Sequence, residues 1–158
     1  MKKKNNKAAD AIATWFGCGL SPVAPGTVGA LAALGIGIVL AEVAHWRPVS
    51  FLWLTVAASL PAIWAADVSA RASGKKDPGR IVVDEVLGLW LTLAGATAWN
   101  WKSFLGAFVL FRLFDIWKPG PVRSFEKLSG GLGIVADDLA AGALGALVLF
   151  GAGCFNLY

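Results

Sequence analysis

An all-α, polytopic membrane helix bundle is the fold class this sequence predicts. Three observations predict it: an apolar composition, five long hydrophobic stretches, and charges gathered toward one end of those stretches. Hydrophobic residues fill 57% of the 158 positions and charged residues only 15%, with a mean hydropathy of +0.66. A water-soluble domain carries about a quarter charged residues to cover its surface, and this chain lacks them. Its eight Trp suit the aromatic belts of a bilayer interface. Its 19 glycines, with many alanines, let helices approach closely in lipid, where small residues replace the missing hydrophobic drive. The length fits one domain over residues 1–158.

Residues 1–16 open with Lys2, Lys3, Lys4 and Lys7. Asn5, Asn6 and Asp10 interrupt the continuous apolar run that a cleaved leader needs, so none is expected. The segment predicts a short amphipathic interfacial helix with Ala9, Ile12, Ala13 and Phe16 toward lipid. A basic start can also mark a nucleic-acid partner, but the rest of the chain is too apolar for that class.

The first hydrophobic helix is predicted from about Thr27 to His45, opened by Pro25-Gly26-Thr27. The second runs from about Phe51 to Ala66 and holds Pro61, which predicts a kink. The third spans Val86 to Trp99, the fourth Ser103 to Trp117, and the fifth Leu139 to about Leu157. Several stretches have only about 14 to 16 residues, against roughly 20 for a full crossing. Helical continuation through the polar flanks Asp84-Glu85 and Arg112–Asp115 makes up the difference. Val122 to Leu128 predicts a short helix lying on the membrane.

With the N-terminus placed in the cytoplasm and five crossings, only Arg47 and Lys102 of the 14 Lys and Arg fall outside. That is the orientation in which positive charge stays inside. Cys18 and Cys154 then lie near opposite ends of the bundle, which excludes a disulfide between them.

The same alternation sorts the carboxylates. Asp67 closes the second helix, Asp84-Glu85 opens the third, Asp115 sits in the last turn of the fourth, and Asp137-Asp138 opens the fifth. All fall at the inner end. Several acids converging at membrane helix ends call for a counter-charge, and hard oxygen donors beside a phosphate suit Mg2+. Each piece also has a plainer reading. Asp84 and Asp137 stand where N-caps belong, and Asp115 has Arg112 and Lys118 at i−3 and i+3, the spacing of an ion-paired trio. Neighbours in a doublet point about 100° apart on a helix, so one member is expected to bind metal and the other to cap or orient.

Cations and backbone donors complete the set. Lys118-Pro-Gly-Pro-Val-Arg123 adds two cations just past Asp115, able to grip a phosphate or simply to flank a membrane helix. The Gly- and Pro-rich stretch from Gly17 to Gly29 ends at a helix start, where Gly26 and Thr27 can offer N–H groups to an anion. It is not a P-loop, because no Gly-Lys-Ser/Thr follows. The sole histidine, His45, falls on the outer side, so phosphohistidine chemistry has no means at the inner cluster, and a serine nucleophile has no histidine beside it. A metal-activated water and a directly attacking aspartate both stay open.

Four ordered motifs carry a resemblance over nearly the whole chain. They are Gly17-Cys-Gly-Leu-Ser-Pro-Val-Ala-Pro-Gly-Thr-Val-Gly29, Asp77-Pro-Gly-Arg-Ile-Val-Val-Asp-Glu85, Phe111-Arg-Leu-Phe-Asp-Ile-Trp-Lys-Pro-Gly-Pro-Val-Arg123, and Gly130-Gly-Leu-Gly-Ile-Val-Ala-Asp-Asp138 with Ala140-Ala-Gly142. In these the chain resembles the phosphatidylglycerophosphatase A family of bacteria. The resemblance implies an Mg2+-dependent enzyme of the inner membrane that converts phosphatidylglycerophosphate to phosphatidylglycerol. It places Asp84, Glu85, Asp115, Asp137 and Asp138 on the family's acidic positions, with Asp84, Glu85, Asp115 and Asp138 as the metal-binding set. Arg112, Lys118 and Arg123 fall on its basic positions, joined at the phosphate by Gly26 and Thr27. Three alternatives compete: a CDP-alcohol phosphotransferase, whose single-helix acidic motif is absent here; a non-enzymatic membrane scaffold or transporter subunit; and a soluble helical bundle.

Overall fold

Proline, glycine and two asparagines set helix boundaries in the computed structural model, which describes residues 6–76 and 78–158. Lys2, Lys3, Lys4 and Asp77 lie outside that description. Among the described residues all regular structure is helical. The helices are α1 (Lys7–Ala13), α2 (Pro25–Glu42), α3 (Pro48–Ser73), α4 (Val83–Leu93), α5 (Trp101–Trp117), α6 (Gly120–Phe125) and α7 (Gly130–Cys154), with a single 3-10 turn at Cys18–Leu20. Pro25 and Pro48 each occupy a first helical position, where a missing N–H costs nothing. α3 ends on Gly74 in the left-handed conformation (φ 71°). Asn100 begins α5 in a capping box with Ser103, whose backbone N–H donates to Asn100 Oδ1 at 3.0 Å.

α2, α3 and α7 are each long and apolar enough to cross a membrane. α4, with 11 residues, rises only about 16 Å, and α5 has 17 residues. The expected third crossing is therefore a half-length helix wrapped by α2, α3, α5 and α7. Its non-helical flanks are tolerated because protein surrounds them. Outward faces carry large apolar side chains, among them Val39, Leu60, Leu105 and Leu147. The interior is lined by small ones, including Ala30, Ala33, Ala65 and Ala141. A bundle that is apolar outside and close-packed on small residues inside matches a bilayer as solvent.

Its two ends differ in chemistry. At one, Trp99 stacks on Phe104 with ring centroids 5.1 Å apart, and its Nε1 donates to the Trp46 carbonyl at 2.7 Å. Tyr158 closes that end by accepting from the Thr97 N–H and donating to the Leu149 carbonyl. The other end holds the ion pairs. There Arg80 donates to Asp10 Oδ1 at 2.8 Å and to Ser69 Oγ at 3.2 Å, and Ser69 donates to the same carboxylate. This knot ties α1 and α3 to the segment ahead of α4, where the Val82 N–H donates to the Ala13 carbonyl.

Three further elements differ from expectation. α1 forms, but Ala9 and Ala13 are buried, and the helix packs on α3 while Phe16 stays exposed. Alanine is small enough to suit lipid or a helix neighbour, so its spacing alone cannot choose. α3 runs through Pro61 to Ser73, and Asp67 lies within it rather than closing it. α7 begins at Gly130, nine residues ahead of Leu139, and Asp137-Asp138 lie two turns inside it rather than at its cap. The glycines that open α7 are contact residues. A side chain on Gly131 would collide with the Ile63 carbonyl, and the Gly131 N–H donates to Asp67 Oδ1 at 3.2 Å.

Candidate active site

The crossing of α4 over α7 is what brings distant carboxylates together. A side chain on Gly88 would meet the Phe111 ring and the Asp138 carbonyl, and one on Gly142 would meet the Gly88 carbonyl. Thr92 pins the crossing, its hydroxyl lying 3.0 Å from the Gly88 carbonyl and 3.2 Å from that of Gly142. Asp84 lies one turn before Gly88, and Asp138 one turn before Gly142. Residues four apart share a helix face, so two helices touching through glycine must bring the preceding acids to the same place.

They do meet. Asp84, Glu85 and Asp138 each offer a carboxylate oxygen within 4.8 Å of the others. The Glu85 N–H donates to Asp84 Oδ1 at 3.1 Å. Asp115, from the last turn of α5, contacts the Asp138 carboxyl and pairs with Arg112 at 2.5 Å. Arg112 faces Glu85 as well. Asp84 and Asp138 are buried, and Glu85 Oε2 is buried without a hydrogen-bond partner. Carboxylates this close and this shielded are costly unless cations or protons offset them.

The start of α2 roofs the cluster. A side chain at Gly26 would run into the Glu85 carboxylate and come within 3.5 Å of Arg112 Nη1. Glycine here permits a helix N-terminus to approach the acids and the guanidinium directly. Ala24, just before it, takes a left-handed backbone (φ 46°) to aim that turn, and Thr27 is half-buried beside Gly26.

Not every expected residue joins the cluster. The doublet Asp137-Asp138 splits as its helical spacing predicts, but Asp84-Glu85 does not: both members reach the centre. The trio on α5 is a pair. Lys118 leaves Asp115 for Asp137, at 2.6 Å, and for Glu126, at 2.7 Å. Burial alone would lower its pKa, yet these two hydrogen bonds raise it, so the ammonium stays charged at neutral pH. Glu126 is correspondingly lowered by its bond to Lys118. Asp137 is thus held aside in an ion pair, with its Oδ1 buried and unpartnered. Arg123 lies exposed on α6, its charge felt by Glu126.

Residue-by-residue reading missed Glu126, which α6 folds back to Lys118, and the Asp10–Ser69–Arg80 knot. The signal for the knot was present: Arg80 lies inside the second motif, and Asp10 interrupts an apolar helix face that otherwise packs inward.

Residues 11–152 match the family Phosphatidylglycerophosphatase A. Phosphatidylglycerophosphatase A of Escherichia coli K12 is 36% identical over 140 residues, covering 88% of this chain and 80% of that protein. The Haemophilus influenzae protein of the same name is 39% identical over 88% of this chain and 85% of its own. A Bacteroides thetaiotaomicron protein, provisionally named a phosphatidylinositol-3-phosphatase, is 41% identical over 87% of this chain and 89% of its own. No solved structure matches at a significant level. With four motifs meeting at one acidic site in a membrane-type bundle, and relatives this similar over most of their length, the chain belongs to the phosphatidylglycerophosphatase A family of phosphatases.

Proposed function

We propose that the protein hydrolyses the terminal phosphomonoester of phosphatidylglycerophosphate, releasing inorganic phosphate and phosphatidylglycerol, at the cytoplasmic face of a bacterial inner membrane. The observation that carries this reading is the meeting of Asp84, Glu85 and Asp138, with Asp115 and Arg112, beneath the N-terminus of α2. The names of the Escherichia and Haemophilus relatives support the substrate. The gathering of ion pairs at the site's end of the bundle supports the orientation.

The donor set fits Mg2+: hard carboxylate oxygens close together, one of them buried with no partner. Asp84, Glu85, Asp138 and Asp115 would hold it, and when bound it supplies charge neutralisation at the phosphoryl group and a more acidic water. The chain's own groups do the rest. Arg112, held in place by Asp115, donates to phosphoryl oxygens. First-turn N–H groups at Gly26 and Thr27 add donors aligned with the helix dipole. A cluster carboxylate takes a proton from a water as its oxygen bonds to phosphorus, and a proton returns to the headgroup oxygen as the old phosphorus–oxygen bond breaks. Lys118, clasped by Asp137 and Glu126, fixes α6 against α7, and exposed Arg123 draws the phosphate dianion toward the site.

The test is phosphate release by the purified protein in detergent, with Mg2+ and with EDTA, from three lipids: phosphatidylglycerophosphate, phosphatidate and phosphatidylinositol 3-phosphate. Mg2+-dependent release from the first, well above the second, is expected. The name of the Bacteroides relative favours a second reading, and faster release from the inositol lipid would transfer the assignment to it. Silence on all three would remove the proposal.

Gly26→Ala probes the roof of the site. The added methyl meets the flexible end of Glu85, so the carboxylate shifts while the helix survives. Activity is expected to fall about 100-fold with little change in melting temperature. Gly35→Ala on the same helix, with nothing within 4 Å of the new methyl, should leave both unchanged.

A further inference from the structure

One arginine stands out on the outer face of α5. Phe108, Val109, Arg112, Leu113, Ile116 and Trp117 line an open groove of about 720 Å³. Five are apolar, and Val109, Leu113 and Ile116 are at least half exposed. Their spacing puts them on a single helical face. A guanidinium is costly on a surface turned to hydrocarbon, and in a phosphatase it needs a reason to be there. Arg112 lines the groove, and its guanidinium pairs with Asp115 in the carboxylate cluster and approaches the start of α2 at Gly26. The apolar trough and the polar site are therefore continuous, and Arg112 is where they join.

We propose that this groove seats an acyl chain of the substrate lipid, so that the headgroup reaches the carboxylates laterally from the bilayer, past α5. The inference rests on the lipid phosphatase reading above. It adds the path and the part of the molecule recognised: a phosphate at Arg112 and a hydrocarbon chain running from there along Val109 and Phe108 toward Leu105. That direction leads away from the charged end, as a chain anchored in the bilayer must. Hydrocarbon gains no water exclusion by leaving lipid for the groove, so the groove acts by orientation. It limits where the phosphate can sit relative to Arg112.

Val109→Trp fills the groove at an exposed position, and Val56→Trp makes the same change on the outer face of α3. Each is assayed on dioleoyl phosphatidylglycerophosphate in mixed micelles and on its deacylated, water-soluble headgroup. Val109→Trp is expected to lower kcat/KM at least tenfold on the lipid and to leave the headgroup rate unchanged, with Val56→Trp neutral on both. Equal effects on the two substrates, or none, would overturn the groove. A second measurement does not depend on turnover. Wild-type protein is irradiated with phosphatidylglycerophosphate bearing a diazirine on its acyl chain, and the labelled peptides are mapped. Labelling concentrated on residues 108–117, suppressed by excess unlabelled lipid but not by phosphatidylcholine, is expected. Labelling spread evenly over α3 and α5 would refute the proposal. Labelling on α5 without phosphate release from any lipid would keep the groove and remove the phosphatase reading instead.

Discussion

Asp138→Asn is expected to abolish phosphate release, by about 1000-fold or more, while the protein still inserts and folds. Asp138 is buried, shares the central position with Asp84 and Glu85, and contacts Asp115. Asparagine keeps its shape and removes a negative charge from a place where four carboxylates crowd together. Folding in the absence of divalent cations should not suffer, because the repulsion within the cluster falls. What should disappear is the gain from the cation. A ligand that binds only the folded state raises its stability, so Mg2+ should raise the melting temperature of the parent protein and leave the variant unmoved. Phosphate release and thermal unfolding, each with Mg2+ and with EDTA, check both halves. A variant that retains full activity would take Asp138 out of the site. One that fails to insert would give it a structural role instead.

Much of the fold was legible because its boundaries are written in proline and asparagine. Pro25 starts a helix where the sequence suggests one, while Pro48 starts α3 three residues ahead of the expected Phe51 and Asn100 caps α5 just ahead of the expected Ser103. Glycine was the harder residue. Gly130 to Gly133 and Gly142 have the composition of a turn or of ordinary membrane filler, yet Gly131 and Gly142 mark backbone contacts with another helix. Only the partner helix tells these uses apart, and a partner is not a local property. The length of α4 was hidden for a related reason. Its apolar run continues to Trp99, but protein rather than lipid surrounds it, so bilayer thickness does not dictate where the helix ends.

The acids of the site were visible because carboxylates in an apolar chain are too costly to be incidental. Their individual partners were less visible. The Arg112–Asp115 pair follows from spacing within one helix. Lys118 has the same spacing from Asp115 on the other side and goes elsewhere. It occupies the left-handed cap of α5 (φ 46°), which turns the chain and carries its side chain toward α7 and α6. A one-helix rule fails at the residue where the helix stops.

The contact that assembles the site should also be its weakest point against added volume. Gly142→Val is expected to cost about 3 kcal/mol of stability and to remove most of the activity. The first carbon of a new side chain at Gly142 meets the Gly88 carbonyl, which is backbone and cannot rotate away. α4 and α7 would have to separate, breaking the bond from Thr92 to the Gly142 carbonyl and moving Asp138 away from Asp84 and Glu85. A shift of about 1 Å in a reacting group is enough to cost roughly 100-fold in rate. Gly151→Val, about two and a half turns farther along α7 where nothing lies within 4 Å, makes the same chemical change without the collision. It should melt and turn over like the parent. Equal behaviour of the two variants would mean that the α4–α7 glycine crossing does not hold the carboxylates together, and the site would then need another organiser.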